Sequence, residues 1–260
     1  MAPSTSFSGD NLATLTFRSI KSTLSNGSIS LEPIHSDIVK LQTSNANISG
    51  VFEAGHVDLS SSNGSISVEL NMKDAIDGEQ SKVLTQTSNA SIDMHVTATE
   101  TSHGLWMKIL TRNDRISVGA LIGKADRASS INASTSNAKI NFNVDASQTG
   151  QALEIVNKTT NGGIVSSVMA PKDRPLKGIA ESSNASISVN LTEEFEGKFR
   201  LETSNASTIV EGTHLVLEHD KTYLKNGYRI KKGPSEFTAL SSNGSAALRF
   251  YPAGLSSASA

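Results

Sequence analysis

The chain has 260 residues, of which 18% are charged, 5% aromatic and none cysteine, and its formal net charge is -2. Zero cysteine excludes a disulfide framework, thiolate catalysis and thiolate zinc or iron–sulfur sites. The near-neutral balance removes the counterion-release argument for nucleic acid and gives no polybasic membrane signal.

Serine (41), threonine (21) and asparagine (19) make up close to a third of the chain, yet low charge, abundant Ile, Val and Leu and only 6 Pro argue against disorder. Met1 to Ile20 shows no apolar run framed by a basic segment and a small-residue cleavage site, so no signal peptide is expected. No stretch approaches the roughly 20 apolar residues that span a bilayer. The expectation is a soluble chain, or the soluble part of a longer one. Residues 1–17 precede the first full repeat and read as an N-terminal cap or irregular edge, because an open stack of strands invites pairing.

From residue 18 to 251 the chain repeats. Ten short motifs centre on Asn26, Asn45, Asn63, Asn89, Asn113, Asn137, Asn161, Asn184, Asn205 and Asn243, as in Thr43-Ser44-Asn45-Ala46-Asn47-Ile48 and Ser182-Ser183-Asn184-Ala185-Ser186-Ile187. Their spacing is 19, 18, 26, 24, 24, 24, 23, 21 and 38 residues. Three residues after Asn stands Ile in eight copies, and Thr or Ser stands two before it in nine. Apolar residues recur four before Asn (Leu41, Leu59, Ile109, Leu201) and five and seven after it (Val68, Val118, Phe142; Leu70, Val96, Leu191), the alternation of strands with one buried face.

The apolar offsets are even before Asn and odd after it, so one residue interrupts the alternation. A left-handed residue at a sharp corner does this, and Asn followed by Gly or Ala suits it. A meander of type I′ hairpins would need positive φ at both central residues, and Ala follows Asn in five copies. The reading is therefore all-β: a single parallel β-solenoid of about ten rungs, three short strands per rung. At a strand spacing of about 4.8 Å it would form a rod on the order of 45 Å long. The asparagines would point inward as a hydrogen-bonded ladder, with the Thr/Ser column as a second ladder and stacked isoleucines as core. The 38-residue final gap holds either a hairpin inserted at 218–236 or an eleventh, degenerate rung at Asn226. Residues 252–260 read as a flexible tail.

Thr-Ser-Asn-Gly/Ala-x-Ile units about two dozen residues apart resemble the adhesin-like β-solenoid domains of bacteria and fungi. The segment Phe195-Glu196-Gly197-Lys198-Phe199-Arg200-Leu201-Glu202-Thr203-Ser204-Asn205 is similar to fungal members in particular. The resemblance runs from about Leu15 to Tyr251. It implies a solenoid at a cell surface or outside the cell, and no catalytic residues.

Rung length varies in charged loops, and insertions on one edge of a solenoid often form its binding face. The candidate contacts there are Lys73, Asp77, Lys124, Asp126, Arg127, Lys172, Asp173 and Arg174. Trp106, the only tryptophan, reads as core or cap. The six histidines have no ligand spacing, and Glu193-Glu194-Phe195-Glu196 reads as a charged strand-to-loop transition rather than a calcium or acid/base cluster. No metal site and no cofactor are expected. Arg229-Ile230-Lys231 matches a fragment of the polygalacturonase pattern without its paired aspartates or Gly-His-Gly. Six of the ladder asparagines head Asn-x-Ser/Thr triplets, and inward-facing amides there would be closed to glycans.

The functional expectation is a noncatalytic adhesin-like module presenting loops to a carbohydrate or protein partner. A polysaccharide-active enzyme on the same scaffold is the alternative, and binding to ice or a crystalline surface a minor one, because parity turns the Thr column inward. Neither a nucleic-acid partner nor a transmembrane segment is expected.

Overall fold

A computed structural model of the chain describes residues 5–7, for which it gives the backbone alone, and 14–252 apart from 172. The described residues are all-β, and most strand pairing is parallel. The first strands are β1 (Thr5–Phe7), β2 (Thr16–Leu24), β3 (Ile29–Thr43), β4 (Ile48–Ser61), β5 (Ile66–Lys73) and β6 (Ser81–Thr87). The middle of the chain forms β7 (Ile92–Glu100), β8 (Leu105–Leu110), β9 (Ile116–Ile122), β10 (Ser129–Ser134), β11 (Ile140–Asp145), β12 (Leu153–Thr159) and β13 (Ile164–Met169). There follow β14 (Leu176–Ser182), β15 (Ile187–Thr192), β16 (Gly197–Thr203) and β17 (Thr208–Glu211). The chain closes with β18 (Leu215–Lys221), β19 (Leu224–Arg229), β20 (Ser235–Ser241) and β21 (Ala246–Tyr251).

From β4 onward each strand pairs in parallel with the strand two ahead: β4, β6, β8, β10, β12 and β14 form one series, and β5, β7, β9, β11, β13 and β15 the other. The first series precedes the asparagine corners and is called the pre-corner face; the second is the post-corner face. Each repeat thus supplies two strands rather than three, because the corner at Asn is the only tight turn and the other end is spanned by a loop. In β3 and β4 even that loop is absent, and one long strand runs from face to face.

Between the faces lies one continuous apolar core. The isoleucines three after Asn stack in register, with Ile66, Ile92, Ile116, Ile140 and Ile164 all at 0% exposure. Burial of each such side chain is worth about 1.5–3 kcal/mol. The column in which Asn is preceded by two with Thr or Ser is also interior. Thr43, Ser61, Thr87, Thr111, Thr159, Ser182 and Ser241 are buried, and each hydroxyl donates to the carbonyl of the residue after Asn in the adjacent repeat, at 2.9 to 3.3 Å. The hydroxyls therefore satisfy corner carbonyls rather than one another. Threonine in place of valine is what a buried carbonyl requires. Thr111→Val, nearly isosteric, leaves the Ala90 carbonyl without this donor and should cost about 1–3 kcal/mol, read by denaturant titration.

The asparagines themselves point outward, which corrects the inward ladder. All ten are exposed. Parity allows the extra residue on either side of Asn, and here it is Asn itself: Ser44 and Asn45 both face solvent, between buried Thr43 and half-buried Ala46. No corner uses positive φ either, since among the described residues it occurs at Gly50, Gly78, Gly104, Gly212, Asp173, His214 and Ile230. Where Gly follows Asn, close approach of the neighbouring corner is the constraint instead. A Cβ on Gly162 would lie 1.7 Å from the Ala138 carbonyl oxygen.

Outward orientation does not leave the amides idle. Each Nδ2 donates to the Oδ1 of the neighbouring asparagine at 2.7–2.8 Å, in one unbroken row from Asn26 to Asn205. Corner backbone amides continue the row, as in Asn137 N–H to the Arg112 carbonyl at 2.9 Å. The burial argument against glycans at these asparagines falls with the inward orientation.

The ends differ. β2 lies on β3 in parallel, and β1 pairs with residues 29–31; the rest of the N-terminal cap expectation, 1–4 and 8–13, lies outside the described residues, as does the tail beyond 252. At the other end the repeats leave sequence order. β20 lies between β14 and β16, and β21 between β15 and β17, so the repeat of Asn243 is sandwiched by those of Asn184 and Asn205. The long gap is resolved as a hairpin, β18 with β19, whose second strand runs antiparallel along the outer edge of β16. Asn226 faces Arg200 there and takes no place in the asparagine row. An antiparallel strand with a bulge near His219 closes an edge that would otherwise accept another parallel strand.

Candidate functional site: the loop edge and its charged cavity

Opposite the asparagine corners, the loops between faces form a second edge, and this is where the variable-length segments gather. They bond to one another. The Asp126 N–H donates to the Ser102 carbonyl at 2.7 Å, the Ser102 N–H to Asp74 Oδ1, and the Gln80 amide to the Ala128 carbonyl at 2.8 Å.

Several of the charged candidates are engaged. Lys73 lies 3.2 Å from Asp37, and Asp126 lies 3.0 Å from His103. Asp77 accepts the Glu79 N–H at 3.0 Å, and that bond, more than the nearby His56 and Lys82 charges, holds its carboxyl below the usual range. Lys124 and Arg127 are exposed on the same loop as Asp126. Lys172 lies outside the described residues. The eight candidates therefore do not converge on one point but are spread along the edge.

Asp173 and Arg174 line a cavity, and the out-of-order last repeat builds it. Because β20 separates β14 from β16, the loops before these three strands meet and enclose about 320 Å3, lined by Asp173, Arg174, Glu194, Glu196, Lys231 and Ser235. Lys231 Nζ is 2.6 Å from Glu196. That bond and its charge, with Asp173 further off, hold the lysine protonated above its ordinary range. Glu194 Oε2 is buried without a hydrogen-bond partner among the described residues. Glu194 and Asp145 also add to the burial that raises the Tyr251 hydroxyl's pKa. Two rim residues, Asp173 and Ile230, have φ of 56° and 63°; for a β-branched residue this is strained backbone of the kind that gathers at binding sites.

Arg229 braces the cavity from below. It is 2% exposed, donates through Nη1 to the Glu193 and Phe195 carbonyls, lies 3.7 Å from the Glu193 carboxylate and stands 5.6 Å from the Phe250 ring centroid. Its neighbours Glu193 and Phe195 are thus backbone acceptors, and Arg229-Ile230-Lys231 works as a turn with a buried anchor. Arg229→Ala strands the Glu193 and Phe195 carbonyls, so a loss of about 2–4 kcal/mol is expected, measured by chemical denaturation.

Glu194, Glu196 and Lys231 were discounted from sequence because the signal that unites them, the insertion of β20, is not a motif. Among the described residues no group of three or more His, Asp or Glu could hold a metal ion. Among the described residues no helix is long and apolar enough to cross a membrane. Trp106 is neither core nor cap: it sits half-buried on the outward side of β8, between Lys82 and Ser130 of the flanking strands. Comparison of the chain with protein-family models, curated proteins and solved structures returned no match.

Proposed function

We propose that the chain is a β-solenoid of ten rungs acting as a noncatalytic, adhesin-like module that presents its surface to a carbohydrate or protein partner. The observation that carries this reading is the loop edge itself: loops of differing length, bonded to their neighbours, hold charges such as the His103–Asp126 pair in place. A surface ordered before contact loses less entropy on binding. The adhesin resemblance of the repeats points the same way. Incubating the protein with a glycan array and a panel of surface proteins, then assaying any ligand for turnover, tests it. Retention without chemical change is expected; loss of substrate with time would overturn the noncatalytic reading.

One observation favours the enzyme alternative. Glu194 carries a buried, unbonded carboxylate oxygen in the cavity that also holds Glu196 and Lys231. Turnover abolished by Glu194→Gln would establish that reading in place of the first.

A further inference from the structure

Three adjacent strands of the pre-corner face turn cations outward and no acid, between Asp58 of β4 on one flank and Glu154 of β12 on the other. On the pre-corner face, β6, β8 and β10 turn outward Lys82, Leu84 and Gln86; Trp106, Lys108 and Leu110; and Ser130, Asn132 and Ser134. Ser88, Arg112 and Ser136 continue these rows toward the corners. No acidic side chain stands among them, and none of Lys82, Lys108 and Arg112 makes an ion pair among the described residues. The matching post-corner strands β5, β7 and β9 turn outward Glu69 and Asp93, and their lysine, Lys73, is tied to Asp37. Lys108 and Arg112 thus stand without a paired acid, while Lys82 acts on the Asp77 carboxylate nearby.

The corner end of this cationic face is concave, and Arg112 is the cation that lines the hollow. A groove of about 390 Å3 runs over it beside the asparagine row, lined by Ser60, Gln86, Ser88, Leu110, Arg112 and Ser134. Trp106 of β8 lies six residues before Arg112, which follows the end of that strand, about 20 Å at strand rise. The face combines an indole, two leucines, a run of amides and hydroxyls, and the cations Lys108 and Arg112. An indole offers an apolar plate with a polar edge. A pyranose needs the same mixture: its C–H face against the ring, its hydroxyls on Ser, Asn and Gln. Guanidinium and ammonium groups add charge-assisted bonds to carboxylate or sulfate.

We propose that the pre-corner face centred on Trp106, Lys108 and Arg112 binds an anionic polysaccharide. The inference rests on the reading of the chain as a binding module and moves the contact surface from the loops to this face. Nucleic acid fits less well, because phosphate-driven binding draws on many cations along one track and here three are dispersed among hydroxyls.

The sole tryptophan makes the test direct. The wild-type protein is titrated with polygalacturonate, with dextran sulfate, with neutral dextran and with duplex DNA, all at one salt concentration, following Trp106 fluorescence. Saturable change with either anionic glycan and none with dextran is expected; polygalacturonate alone would assign carboxylate recognition, and dextran sulfate alone sulfate recognition. By affinity electrophoresis, Lys108→Glu and Trp106→Ala should each weaken binding about tenfold or more, with unchanged circular dichroism, while Arg174→Ala in the loop cavity should not. Binding lost in Arg174→Ala but kept in Lys108→Glu overturns the inference and leaves the loop-edge module standing. DNA bound as tightly as the glycans, or no anionic glycan bound at all, overturns it too. Cleavage of the bound glycan would instead overturn the noncatalytic reading.

Discussion

Gly178→Val is expected to unseat the last repeat. Gly178 of β14 faces Phe237 of β20 in register, and a Cβ there would come within 2.2 Å of two ring carbons of Phe237. That ring has no retreat, because Phe237 is at 0% exposure and its other flank is Phe199 of β16. Overpacking of a filled core ordinarily costs 1–3 kcal/mol, and a clash with an immobile ring lies at or above the upper end of that range. The cost falls on one element, since β20 is held by its two neighbours and can leave as a unit with β21. Limited proteolysis should therefore release fragments cut within 230–234 from the variant and not from the wild type. Adding Phe237→Ala should restore resistance in part, a coupling expected only if the two side chains touch. Failure of the second change to rescue the first would break the argument.

Ile116→Ala should act on the whole molecule instead. Ile116 is stacked between Ile92 and Ile140, all three at 0% exposure, in the middle of the core. Removing three carbons from such a site costs about 2–5 kcal/mol, because flanking strands held at fixed spacing close the cavity poorly. In a chain of this size each kcal/mol lowers the melting temperature by about 2–4 °C. Since repeats contact only their neighbours, a weak central repeat should also split one unfolding transition into two. A melting temperature within a degree of wild type would mean that the isoleucine column is not the core.

Most of the fold was legible because the repeat makes each column visible many times. Ile three after Asn, and Thr or Ser two before it, are interior as parity required. Trp106 was misread as core or cap on its bulk, although it stands seven before Asn113, an odd offset that parity assigns to the outward side. The asparagine was misplaced because the break in alternation can fall on either side of it. Only the exposed amide row, with each carbonyl taken by the next Nδ2, shows how an outward asparagine is satisfied.

Repeat order was not legible for the opposite reason. Columns that are alike fit any neighbour, so the motif at Asn243 matches the motif at Asn184 as well as that at Asn205 does. The choice is made by particular shapes, Phe237 over Gly178 and the Ser235 backbone against Gly197, and by a hairpin long enough to bring the chain back. The charged cavity follows from that choice, which is why Glu194 and Lys231 carried no signal as isolated residues.

The stacking of the Asn243 repeat between those of Asn184 and Asn205 is the claim on which cavity and closure both depend, and the cysteine-free chain allows a clean test. Ser186 and Ser245 face each other across adjacent strands with their Oγ atoms 3.0 Å apart. The double variant Ser186→Cys, Ser245→Cys should form an intramolecular disulfide under mild oxidation, because in-register neighbours fall inside the 4.4–6.8 Å Cα window such a bond needs. Ser186→Cys with Ser207→Cys, separated by the intervening strand, should stay reduced. Disulfide formation by the second pair and not by the first would mean that the repeats stack in sequence order, and would contradict the account.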